Sequence, residues 1–81
     1  MRINVKLFAV LRERAGLAEL FLELPAGATV ADAAEALADR LPALRGYAAR
    51  IAFAVNCTYV KAGTALSDGD ELALIPPVSG G

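Results

Sequence analysis

Histidine is absent from this 81-residue chain, cysteine occurs once, and tryptophan not at all. With no histidine and only Cys57, the residues that make a typical zinc site or a Ser-His or Cys-His nucleophile pair are missing. One cysteine also excludes an internal disulfide. No apolar run approaches the ~20 residues of a membrane-spanning helix. Aromatics are few, and the arginines (Arg2, Arg12, Arg14, Arg40, Arg45, Arg50) form no dense block and are not interleaved with them. A nucleic acid partner would need a basic stripe or stacking platforms, so none is expected. The start, Met1-Arg2-Ile3-Asn4-Val5-Lys6, enters an alternating pattern at once, without the apolar block of a signal peptide. The expected setting is the cytoplasm, away from membranes.

What is present is a core. Hydrophobic residues make up 57% of the chain against 21% charged, which rules out disorder and suits one small domain. Formal net charge is −1, so neither sign dominates.

Residues 2–8 alternate as a strand, with Ile3, Val5 and Leu7 against Asn4 and Lys6. Ala9 to Ala15 favours a short helix or turn stopped by Gly16. Residues 18–24 alternate again, with Leu20, Leu22 and Leu24 on one side, before Pro25-Ala26-Gly27 interrupts. Thr29 is placed to cap a longer helix, with Asp32 as its capping-box partner. Val30, Ala33, Ala34, Leu37, Ala38 and Leu41 fall on one face of that helix, and Asp32, Glu35 and Asp39 on the other. Pro42 closes it. Residues 43–50 are expected as a connection pinned by Leu44 and Tyr47. Ile51 to Val55 reads as a strand, followed by an Asn56-Cys57 turn before Thr58-Tyr59-Val60, so that two or three strands follow the long helix. After a loop at 61–65 and a Ser67-Asp68-Gly69-Asp70 turn, Glu71 to Ile75 is the last strand. This order predicts an α+β roll, a twisted sheet covered on one face by one main helix.

The chain closes on Ile75-Pro76-Pro77-Val78-Ser79-Gly80-Gly81. Two glycines add nothing to a core. Lacking Cβ atoms, they can lie extended in a narrow channel and present a carboxylate inside another protein. From Pro76 to Gly81 the reach is roughly 20 Å, at about 3.3–3.6 Å per residue. Two prolines stiffen the exit and lower the ordering penalty on insertion.

Several segments together resemble the ubiquitin-like sulfur carriers, most closely the small subunits of molybdopterin synthase. They are Phe8-Ala9-Val10-Leu11-Arg12-Glu13 with Gly16, then Gly27-Ala28-Thr29-Val30, then Ala54-Val55-Asn56 with Tyr59-Val60. The most specific is the uninterrupted run from Leu66-Ser67-Asp68-Gly69-Asp70 through Pro76-Pro77-Val78-Ser79 to Gly80-Gly81. The resemblance spans essentially the whole chain. It implies a β-grasp (ubiquitin-like) domain over residues 1–75, with the first and last strands side by side, and an extended tail over 76–81.

It also implies a role. An adenylating enzyme would use ATP to activate the Gly81 carboxylate, and sulfur transfer would convert it to a thiocarboxylate. No cofactor or metal would be held permanently. Pro77, Val78, Ser79 and Gly80 would thread into the synthase large subunit, which would hold the catalytic residues, in a heterotetramer of two small and two large chains. Sulfur would pass there to the molybdopterin dithiolene, and each dithiolene would consume two loaded tails. Leu11, Arg12, Tyr59 and Ile75 are the expected partner-facing residues, although Leu11, Tyr59 and Ile75 could equally complete the core. Ile75 stands where such carriers often show a larger aromatic. Cys57 reads as an inert turn residue, Lys6 and Lys61 as solvated charges, and Asp68-Gly69-Asp70 as a turn. The competing readings are a related carrier for thiazole synthesis or tRNA thiolation, a protein modifier joined to lysines, and a β-grasp interaction module without tail chemistry.

Overall fold

The alternation in residues 2–8 and 18–24 becomes two antiparallel strands, β1 (Arg2–Leu7) and β2 (Glu19–Glu23), in the computed structural model, which describes residues 1–76 apart from the side chains of Ala48 and Ala49. Between them α1 (Ala9–Ala15) ends at Gly16, whose φ of 77° is left-handed and whose N–H donates to the Arg12 carbonyl at 3.0 Å. Only glycine takes that conformation without strain, so the predicted stop holds.

The main helix α2 spans Val30–Arg40. The Asp32 N–H donates to Thr29 Oγ1 at 3.3 Å, and the Thr29 N–H donates to Asp32 Oδ2 at 2.9 Å. This is the capping box read from the sequence. The loop after Val60 completes the job, since Val30 N–H donates to the Thr64 carbonyl and Ala31 N–H to that of Ala62. The first-turn donors that a helix cannot satisfy internally therefore all find acceptors. Thr29→Ala should cost about 1 kcal/mol and lower Tm by roughly 4–8 °C. A thermal melt followed by circular dichroism would check this, and an unchanged Tm would mean that the Thr29 hydroxyl adds nothing to the stability of α2.

Residues 43–50 depart from the expected irregular connection: Pro42–Arg50 winds as a 3-10 helix. Pro42 at its first position presets φ, and Leu44 is buried in the core with Tyr47 packed partly against it. The remaining strands are β3 (Ala52–Val55), β4 (Thr58–Val60) and β5 (Glu71–Ile75). Asn56 and Cys57, at φ 49° and 72°, form the tight turn between β3 and β4. Asn56 also clamps that turn to β5: Nδ2 donates to Asp70 Oδ1, and Oδ1 accepts from the Glu71 N–H, both at 3.0 Å.

Among the described residues the five strands form one sheet in the order β2-β1-β5-β3-β4. β1 and β5 are parallel and central; the other pairs are antiparallel. Ile3, Val5, Leu7, Leu22, Leu72 and Leu74 meet Val30, Ala33 and Leu37 of α2 in one core, joined by Leu11, Leu44 and Leu66. This is the β-grasp (ubiquitin-like) roll that the resemblance implied, with one face covered and one open. Among the described residues no helix is long and apolar enough to cross a membrane.

Candidate functional site

β5 determines where the tail leaves the domain. Its register places Leu74 beside Leu7 of β1 and Ile75 beside Ala52 of β3. The chain therefore departs from the middle of the sheet, flanked by strands on both sides. Leu72 is fully buried and Leu74 nearly so, so the covalent anchor of residues 77–81 is a core strand. Gly81, the proposed reactive position, and Pro77, Val78, Ser79 and Gly80 lie outside the described residues.

Beside the exit, β1 gives way to α1. Ala9 at φ 49° makes a sharp junction, in a left-handed conformation that an L-residue adopts at a penalty of about 1–2 kcal/mol. Phe8 is left 43% exposed there. An open groove of about 490 Å³ at this junction is lined by Lys6, Leu7, Phe8, Arg12, Ala18 and Glu19.

The open sheet face adjoins this groove. Residues out of phase with buried Leu72 and Leu74 point to it: Glu71, Ala73 and Ile75. Ala73 is in register with Lys6 on one side and Ala54 on the other, and Ala54 pairs with Tyr59. Ala52, Ala54 and Ala73 thus form a shallow apolar strip between Ile75 and Tyr59, a residue 70% exposed. Ala54 is buried although it stands outside the α2-facing core cluster. Lys6 Nζ lies 3.5 Å from Glu71 Oε1, a partly exposed pair worth at most about 1 kcal/mol.

The predicted partner-facing residues divide. Tyr59 and half-buried Ile75 share the open face, and Arg12 lies exposed on the adjoining groove. Leu11 does not belong with them. It is fully buried, the one buried side chain of α1, and it packs in the core. The expectation of a surface role for Leu11 is corrected: a seven-residue helix must spend its largest aliphatic side chain holding itself to the sheet. The alanine strip and Phe8 were missed as site residues. Of these only Ala73 had a signal in the sequence, the phase of β5, because once 72 and 74 are inward, 71, 73 and 75 must face out. Cys57 is exposed, but its turn follows Val55, which pairs with Leu72. That places it roughly 10 Å or more along the sheet from Ile75, away from the tail exit.

A family model described as the ThiS family matches residues 5–81. The chain is similar to the molybdopterin synthase sulfur carrier subunit of Chlamydomonas reinhardtii, at 43% identity over 83 residues covering the whole of both chains. To the Arabidopsis thaliana protein of the same description it is 36% identical over 81 residues, covering all of this chain and 84% of the relative. Among solved structures, the crystal structure of SAMP1 from Haloferax volcanii matches at a TM-score of 0.93 and 38% identity, covering all of both chains.

Proposed function

The chain belongs to the ThiS family, and from that membership we propose that it is a sulfur carrier serving as the small subunit of a molybdopterin synthase. The observation that carries the proposal is where the domain ends: β5, from which Pro76-Pro77-Val78-Ser79-Gly80-Gly81 follows in sequence, is a central core strand with the alanine strip on its open side.

The chemistry follows from what a carboxylate cannot do. It is a poor electrophile, because displacing oxide from it is prohibitive. Attack of the Gly81 carboxylate on the α-phosphorus of ATP releases pyrophosphate and gives an acyl-adenylate. Sulfide-level sulfur then adds to the acyl carbon and expels AMP, leaving a thiocarboxylate. The ATP is bound and consumed by an activating enzyme, not by this chain. In the synthase the thiocarboxylate sulfur is the nucleophile toward the pterin precursor, and hydrolysis of the resulting acyl–sulfur bond returns the free carboxylate. The similarity to molybdopterin synthase sulfur carrier subunits over the whole of this chain supports this recipient and a large-subunit partner; the catalytic residues would then lie on that partner.

The open face suits that partner. The alanine strip admits close approach, and Tyr59 supplies an exposed aromatic of the kind that dominates interface energy. Tyr59→Ala should weaken binding to the large subunit roughly tenfold or more. Because Tyr59 is largely exposed, folding stability should change by less than about 0.5 kcal/mol. Calorimetric titration of wild type and variant into the large subunit measures the first, and urea unfolding the second.

The direct test of the function is intact mass after incubation with activating enzyme, ATP and a sulfide source. The expected gain corresponds to one oxygen replaced by one sulfur. No gain with an enzyme shown to be active would remove the tail chemistry and leave an interaction module. A second reading has an observation of its own in the similarity to a small archaeal modifier protein. There a lysine amine would take the place of sulfur at the acyl-adenylate. The same incubation with a lysine-bearing acceptor distinguishes them, since an isopeptide-linked adduct would appear instead of a sulfur-exchanged tail.

A further inference from the structure

β2 is an edge strand, and its backbone pairing divides its groups sharply. Leu7 N–H donates to the Ala18 carbonyl and Leu24 N–H to that of Met1, each at 2.8 Å, at the two ends of the β1–β2 ladder. Bonded pairs recur at every second residue of an antiparallel ladder, so Leu20 and Leu22 direct their N–H and C=O toward β1. Glu19, Phe21 and Glu23 direct theirs outward. A row of outward groups on a five-residue strand is a template for another strand.

The sequence of that strand, Glu19-Leu20-Phe21-Leu22-Glu23, reads the same in both directions. A second copy related by a two-fold axis through Phe21 would therefore pair with it in register. Phe21 would exchange both backbone bonds with Phe21 of the other copy, and Leu20 would lie opposite Leu22. Phe21 is half exposed, so it offers apolar area as well.

The central acceptor of that pairing already takes one hydrogen bond, from a cation that an incoming strand would have to share it with or displace. Arg40, the last residue of α2, reaches across so that Nη1 donates to the Phe21 carbonyl at 3.0 Å. The same two-fold register would also set Glu19 against Glu23 twice, with like charges directly opposed. We propose that Arg40 is a guard on the free edge of β2, which without it and without the flanking carboxylates pairs with the β2 edge of a second copy of this chain. The alternative role for Arg40, a cation complementing the C-terminal end of the α2 dipole, would affect stability alone.

The test compares four chains by light scattering on a sizing column: wild type, Arg40→Met, Glu19→Gln/Glu23→Gln, and the combination of all three. Methionine keeps the aliphatic stem and removes the donor. Wild type and the double glutamine variant are expected as monomers, and the triple variant at twice the monomer mass, with the Phe21 amide newly protected from hydrogen exchange. A folded triple variant that stays monomeric overturns the proposal. So does a double glutamine variant that dimerises as fully as the triple, since Arg40 would then guard nothing. Should the triple variant unfold, Arg40→Met alone in 1 M salt decides, because the Debye length there is about 3 Å and the glutamates no longer repel across the pairing. Dimer formation in that arm supports the guard, and a folded monomer refutes it.

Discussion

Deleting Gly80 and Gly81 is expected to abolish sulfur loading and leave the fold intact. Every buried side chain identified among the described residues lies at or before Leu74, and β5 completes its pairing at Ile75. The two glycines carry no side chain, so their removal takes no apolar surface from the core. Unfolding by urea should show a midpoint and slope indistinguishable from the intact chain. Loading fails for a different reason. An active-site channel that encloses an extended backbone excludes Cβ atoms, and Ser79 as the new terminus would bring a side chain and a carboxylate two residues short of the reactive position. At about 3.3–3.6 Å per residue the shortfall is roughly 7 Å, far outside bonding distance to ATP. Intact mass after incubation with activating enzyme, ATP and sulfide should therefore show no sulfur exchange. Retained loading would move the reactive group elsewhere. Retained partner function without loading would support an interaction module.

The parts of this architecture that were legible in the sequence are those set by neighbours a few residues apart. The Thr29–Asp32 capping box, the left-handed stop at Gly16 and the turn through Gly69 at φ 85° are local geometry, and each stands where residue chemistry placed it. The alternation of β1 and β2 likewise announced which side chains are core. Three features were not legible, each for a physical reason. The 3-10 winding of 42–50 is bound up with Leu44 entering a core built by distant strands, and no short-range pattern specifies it. The Arg40 bond to the Phe21 carbonyl joins residues 19 apart, and its value depends on β2 being an edge. The inward turn of Leu11 failed for want of length: seven residues are two turns, too few for an apolar stripe to declare its direction. The site divides along the same line. Tail composition is visible in sequence, whereas the alanine strip beside it exists only once β3 and β5 are paired.

Leu11 gives the second large effect. Leu11→Ala should destabilise the domain by about 2–5 kcal/mol, the range for truncating a fully buried leucine. An 81-residue chain is held by roughly 4–12 kcal/mol in total, so this one change consumes much of the margin. It acts on the site indirectly. Leu11 is the buried contact of α1, and α1 carries Arg12 on the groove and begins beside Phe8 at the tail exit. Detaching α1 would open that side of the exit while leaving the tail chemistry itself untouched. Arg12→Ala, one residue along, should change stability by less than about 0.5 kcal/mol, because the side chain is exposed and its loss leaves no cavity. The pair therefore separates packing from recognition. Urea unfolding should show a large fall in midpoint for Leu11→Ala and almost none for Arg12→Ala, whereas titration into the large subunit should show weakened affinity for Arg12→Ala under conditions where both chains are folded. A Leu11→Ala chain with the wild-type midpoint would mean that this side chain does not anchor α1.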